Sequence, residues 1–318
     1  MRVKDPVWRD FLTSLRQGNI NATHLQMLRK LVLGKDDCPN TSFDEEPWAS
    51  SVLITPRHAL RLLWNERALM KHCALHGQRL YRCEAKDTIG GRPLSLNERY
   101  AVALRKHGPD RKNNATNQDL QENVDLAIGM TILVTQNINT DLDITNGARG
   151  VIVSIVLHPE EVLTSNDAQI KLQHLPAYIL VRMERTRLGA LDGLTDSVIP
   201  IEPVIQKMQI KVETEEGQLV TRIVARSQFP VTPCYAFTDY RSQGQTVHRA
   251  IVDIATPASG RLSLFNLYVM LSRVASRDCI RILRDFKNEC FLDNSFPAEL
   301  KEEEDRLWSL HQTWKTYE

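Results

Sequence analysis

The chain has 318 residues, 42% hydrophobic and 25% charged, with a formal net charge of +1. That is the balance of a globular protein, and it excludes a strongly basic nucleic-acid coat. The length suits one large domain or two ordinary ones. No apolar run reaches the length of a membrane span, and the opening MRVKDPVWRDF lacks the apolar core of a secretory signal. A nuclear or cytosolic location is therefore expected. The six cysteines, Cys38, Cys73, Cys83, Cys234, Cys279 and Cys290, form no C-x-x-C pair, so reduced thiols are expected. His72, Cys73, His76 and Cys83 match no accepted ligand spacing, and no metal site is expected. Charge is uneven: residues 57–112 hold 13 Lys/Arg against 5 Asp/Glu. Such a stretch reads either as a face that follows a phosphate backbone or as a solvated helix surface.

Two helices open the chain. VWRDFLTSLRQG places Trp8, Phe11, Leu12 and Leu15 on one face, with Gly18 as its stop. NATHLQMLRKLVLG repeats the pattern, with Asn21 or Thr23 as N-cap and Gly34 beyond the end. A polar loop, KDDCPNTSFDEEP, follows. SVLIT is a short β-branched strand ended by Pro56, and RHALRLLWNERALMKHC has helical spacing with Leu60, Leu63, Trp64, Leu69 and Met70 inward. A buried strand feeding a helix is the repeating unit of a parallel α/β sheet. Residues 90–117 read as irregular.

MTILVTQNI and GVIVSIVL read as strands joined at the turn signal Asn146-Gly147. AYILVRM, SVIPIEPV, MQIKVET and LVTRIVARSQF continue as short strands, the spacing of a small β-barrel or sandwich over about 150–230. The α/β pattern then returns with strands CYAFTDY and RAIVDIA, helix SLFNLYVMLSRV, strand CIRILRDF and an amphipathic C-terminal helix, PAELKEEEDRLWSLHQTW.

Two stretches carry chemistry. In YAFTDYRSQGQT an apolar strand ends in hydroxyl, basic, amide and glycine residues, and strand ends of open α/β sheets are where ligands bind. Thr238, Ser242 and Thr246 can donate to phosphate, Arg241 adds a charged fork, and Gly244 admits an anion close to backbone N–H groups. A polar turn with capping hydroxyls has the same composition. In LYVMLSRVASRD the apolar face of Leu267, Met270 and Leu271 holds Arg273 on a rigid helix. An arginine so placed can reach a phosphate bound by a neighbouring domain, and it can equally be a salt-bridged surface residue.

The order of these stretches resembles the RecD/Pif-type superfamily-one DNA helicases. YAFTDYRSQGQT is similar to their fifth motif and YVMLSRVASRD to their sixth. VLITPRHALRLLWN looks like the fourth, and LAIGMTILVTQNINTDLDITNGARGVIVSI like the segment between. The helicase part of Helitron-type transposons is the variant most like it. The resemblance covers about Trp8 to Phe286.

It implies an α/β fold: a RecA-like parallel-sheet domain (1–150 and 231–290), an inserted SH3-like small β-barrel (151–230) and a helical tail (291–318). It also implies roles. Thr55, Thr238, Tyr240, Arg241, Ser242 and Thr246 would meet single-stranded DNA, with the insertion helping to hold the strand. Gln243 and Gly244 would couple that surface to the nucleotide, and Arg273 would be the arginine finger. ATP and Mg2+ would serve five-prime to three-prime movement.

Tyr240-Arg241 departs from the family's His-Lys, and Met270 replaces a small residue. A tyrosine there suits a base stack or a packed ring. No G-x-x-x-x-G-K-[ST] phosphate loop occurs, and no apolar strand ends in Asp-Glu. The expectation is a C-terminal motor half, inactive alone, that works with a first RecA-like domain in cis or in trans. The alternative is a non-enzymatic binding module for nucleic acid or protein.

Overall fold

The computed structural model describes residues 3–107, 120–163, 167–187, 189–213, 217–257, 262–292 and 298–315. The chain packs as two compact units: Met1–Asn65 with Tyr235–Glu318, and Glu66–Cys234. The second begins at Glu66 rather than at residue 151. The reason is pairing: strands from before residue 150 enter the same sheets as those after it.

The first unit is built on a parallel sheet of four short strands. Their order is Ala236–Phe237, Val52–Ile54, Ala250–Val252, Ile280–Ile282. All four have both faces covered, which is why three read as unbroken apolar runs, while the fourth buries Arg281, bonded to Thr41 and the Ile280 carbonyl. Leu53, Ala236 and Ile251 form a core patch against Leu33, Leu60, Trp64 and Leu283. A fully buried Leu53 or Ile54 side chain contributes about 1.5–3 kcal/mol over an exposed one.

The opening helices form as expected. Pro6–Arg16 buries Trp8, Phe11, Leu12 and Leu15, and Asp5 caps it by accepting from the amides of Val7 and Trp8. Ala22–Arg29 is capped by Asn21. The helix His58–His76 differs from its expected face. Leu63 is half exposed, whereas Arg61 and Asn65, one turn apart, are buried.

Asn65 shows why. Its Oδ1 accepts from the amides of Tyr235 (3.1 Å) and Ala236 (2.8 Å), and its Nδ2 donates to the Ala236 carbonyl (3.3 Å). The side chain thereby satisfies backbone groups on the edge strand of the sheet.

The second unit is mainly antiparallel. One sheet orders Val198–Ile201, Tyr178–Met183, Arg149–Val156, Thr131–Val134 and Val231–Pro233. Another orders Val204–Glu213, Leu219–Gln228, Lys86–Ile89 and Arg92–Pro93, and a third Asn123–Leu126, Leu80–Glu84 and Gln169–Lys171. Gly150 lies where strands nearly touch: a Cβ there would stand 2.5 Å from Val181 Cγ1 and 2.8 Å from the Arg182 carbonyl.

The stretch expected to be irregular contains the helix Leu96–His107. Ser95 and Glu98 cap it reciprocally, and the Ser95-x-x-Glu98 spacing was the available signal. Ala101 packs it on Leu94, Met208, Ile210 and Val224. Residues 108–117 of that stretch, and 293–297 and 316–318 of the expected tail, lie outside the described residues. The C-terminal helix runs Ala298–Lys315.

Candidate functional site

The carboxyl ends of three adjacent parallel strands deliver Thr238, Thr55 and Asp253. Asp253 is fully buried. It accepts from the Thr55 hydroxyl at 3.1 Å and from Arg284 Nε and Nη2 at 2.9 and 2.6 Å, and Arg57 Nη1 stands 3.8 Å away. Burial pushes its carboxyl above the usual carboxylate range, while Arg57 and the Thr55 bond pull it back. Two guanidinium groups therefore serve one carboxylate, and this rim of the sheet carries surplus positive charge.

Thr55 is thus not on the surface. It is completely buried, its hydroxyl donates to Asp253, and it accepts from the Arg57 amide. The structure turns two other expected hydroxyls inward as well. Thr238 ends its strand by capping the single helical turn Asp239–Ser242, accepting from the Arg241 amide. Ser242 is fully buried and donates from Oγ to the Asp239 carbonyl at 2.6 Å. Capping and turn closure are ordinary uses of these side chains, and here they shape the surface rather than form it.

The side chains left facing outward are Tyr240, two-thirds exposed, with Gln243 and Thr246. Arg241 is part-buried, and burial lowers its guanidinium from the usual range. Gly244 has φ +80°, with open space where a Cβ would stand. The backbone thus turns through a left-handed residue on an unobstructed surface.

A second helix holds this turn. Leu264–Leu271 is capped by Ser263 and Asn266, and Asn266 Nδ2 also donates to Asp239. Just past its end stands Arg273, 8% exposed. Its Nη1 donates to the carbonyls of Ser242 (3.3 Å) and Gln245 (3.4 Å), and its Nη2 to the Ser272 hydroxyl (2.6 Å). The Val247 amide donates back to the Arg273 carbonyl at 3.1 Å. Arg273 and the turn Asp239–Val247 are therefore one bonded assembly. Arg273 also lines a groove of about 910 Å³ with Arg9, Arg16, Tyr268, Trp308 and His311.

Sequence reading missed Arg61, Asp253 and Arg284. Asp253 was visible as a carboxylate closing an apolar strand. Arg61 carried no signal, because an arginine among helical leucines reads as a surface residue.

In the second unit, His158, Glu160 and His174 offer ligand atoms within 4.8 Å of one another. The His158 Nδ1 already accepts from the Glu160 amide at 3.2 Å, which leaves the hydrogen of a neutral ring on Nε2. His72, by contrast, is bonded through Nε2 to the Ile128 carbonyl at 3.0 Å.

No family model matches the chain. The ATP-dependent DNA helicase PIF1 of Candida albicans is 33% identical over 92 residues, which is 29% of this chain and 9% of that protein. The fold is similar to the crystal structure of Pif1 helicase from Candida albicans. That match has a TM-score of 0.57 and 20% identity, and covers 100% of this chain and 60% of the other. Bacteroides Pif1 bound to ssDNA gives 0.59 and 16%, covering 98% and 56%. Pif1 helicase from Bacteroides in complex with ADP-AlF3 and ssDNA gives 0.56 and 18%, covering 97% and 55%. The chain thus spans just over half the length of these solved structures. With these neighbours, the parallel unit is RecA-like, and the chain resembles Pif1 helicases in both sequence and fold.

Proposed function

We propose that the chain is the second RecA-like motor domain of a Pif-type, five-prime to three-prime DNA helicase. In this reading it binds single-stranded DNA and works with a first RecA-like domain, in cis or in trans. One observation carries the proposal: Arg273 is hydrogen-bonded to the same turn that presents Tyr240, Arg241 and Thr246.

In this reading Arg241 and Thr246 meet backbone phosphates and Tyr240 stacks on a base. Thr55, Thr238 and Ser242 act beneath that surface by fixing the turn. Gln243, Gly244 and Arg273 are the residues that would meet ATP and its Mg2+, which the first domain would mainly hold. The open backbone at Gly244 and the guanidinium of Arg273 fit an anionic ligand. Bound there, ATP supplies the phosphoryl chemistry that drives movement along the strand.

A nucleotide phosphate that drew Arg273 Nη1 toward itself would do so at the expense of the turn's carbonyls, Ser242 and Gln245. Drawing it toward phosphate would loosen the turn that grips the strand. That exchange is the coupling step we assign to it. The β-rich second unit, proposed to include an SH3-like fold, would add to the grip.

The test is a salt titration of oligo-dT binding by the full chain and by Arg241→Ala. The variant is expected to bind more weakly, with a salt slope flatter by about one. Equal affinity and slope at every salt concentration would remove this face from DNA binding and leave a protein-binding module as the better reading.

A further inference from the structure

The helix His58–His76 buries an arginine that no carboxylate among the described residues neutralises. Arg61 is 9% exposed, its Nε is enclosed without a hydrogen-bond partner, and no ion pair to it occurs among the described residues. A guanidinium out of water without an acceptor is costly, so the site is built for an anion or is strained without gain. Burial, and then the charge of Arg241, push Arg61 down to about 10. A neighbouring cation worsens the cost and concentrates positive field at one point.

Backbone geometry fixes where that point lies. Asn65, one turn further along the same helix face, is bonded to Tyr235 and Ala236. Helix and edge strand run in opposite directions here, as a helix that follows its own parallel strand must. One turn back toward the helix start therefore lies beside the strand's carboxyl end, where Thr238 and the turn bearing Arg241 begin. The strand and the helix cap thus bring Arg61 and Arg241 to the same side of the sheet's rim. Arg57, which could have competed, is committed to the Thr256 carbonyl at 2.7 Å and to Asp253.

We propose that Arg61 and Arg241 together form a seat for one phosphodiester of the bound strand, with Arg61 as the inner, prepaid half. The proposal rests on the DNA-binding reading above. Arg241 meets the phosphate from the surface turn, and Arg61 supplies charge from below. Placing one arginine on the helix and one on the turn makes the phosphate a bridge between the two elements.

The experiment uses the full chain, Arg61→Met and Arg61→Lys, and reads oligo-dT affinity against salt together with thermal unfolding. Arg61→Met is expected to bind about tenfold more weakly, with a salt slope flatter by about one, while its Tm equals or exceeds the parent's. Arg61→Lys is expected to keep the slope and lose about two- to fivefold. Parent affinity and slope in Arg61→Met would overturn the seat and leave the DNA reading standing. A Tm several degrees lower in Arg61→Met, with parent binding in Arg61→Lys, would make Arg61 structural and also overturn it. If the parent itself binds no oligo-dT, the DNA reading fails, and inorganic phosphate decides the seat. A Tm rise over chloride of equal ionic strength, absent in Arg61→Met, keeps an anion seat without the strand, and no rise removes it.

Discussion

Arg273 Nη1 donates to the carbonyl of Ser242 at 3.3 Å, joining the end of one helix to the turn that closes another. With the bond to Gln245, one guanidinium holds both ends of the left-handed turn at Gly244. Hydrogen bonds from a charged donor contribute about 1.5–3 kcal/mol each. Arg273→Ala should therefore speed amide exchange from Gln243 to Val247 by about ten- to a hundredfold. It should also abolish ATP turnover when a first RecA-like domain is supplied. Exchange at the parent rate would show that the bonds do not hold the turn.

Asn65→Ala should be among the costly single changes in the first unit. It strips the acceptor from the amides of Tyr235 and Ala236, and an unsatisfied buried group costs about 1–3 kcal/mol. A lower urea midpoint with unchanged m-value is the expected result. An unmoved midpoint would mean that water replaces the side chain on the sheet edge.

Gly150→Ala should destabilise the second unit by about 1–3 kcal/mol through overpacking. The obstruction includes the Arg182 carbonyl, which is backbone and cannot swing aside. Chemical denaturation monitored in that unit would measure it, and parent stability would contradict the close approach of the strands.

Glu98 accepts from both Arg92 Nη groups at 2.7 and 2.8 Å and from the Ser95 amide, which together hold its carboxyl at about 2 against an ordinary 4.5. A depressed folded-state value stabilises above about 4.5, and the gain is lost as pH falls from 4.5 toward 2. Parent and Glu98→Gln should therefore differ most in urea midpoint at neutral pH and converge in acid. A gap constant down to pH 2 would show that the carboxylate's charge contributes nothing.

Much of this architecture was legible in the sequence because periodicity survives where packing is one-sided or complete. Trp8, Phe11, Leu12 and Leu15 show the helical stripe, and VLI and AIV show strands covered on both faces. The helix Leu96–His107 was hidden because it packs through the small Ala101 and half-buried Val102 while Leu96, Tyr100 and Leu104 are exposed, so its larger apolar residues do not mark the packed face. At the site, residue types were readable and their direction was not. A threonine at a strand end suits a phosphate, an N-cap or a buried aspartate equally well, and only the fold shows Thr55 bonded to Asp253. Arg61 was beyond reach of any pattern, since its meaning lies in an enclosed Nε without a partner among the described residues.

The chain leaves the parallel unit at Asn65 and re-enters it at Tyr235, and these two residues are hydrogen-bonded. Departure and return thus share one clasped doorway. A chain that exits and comes back through a fixed gap leaves the host sheet indifferent to how much polypeptide lies outside it. Doubling the excursion would add only about 0.6 kcal/mol of closure entropy. The fold accordingly contains a ready graft point, where accessory structure can grow, shrink or be exchanged while the strands beneath keep their register.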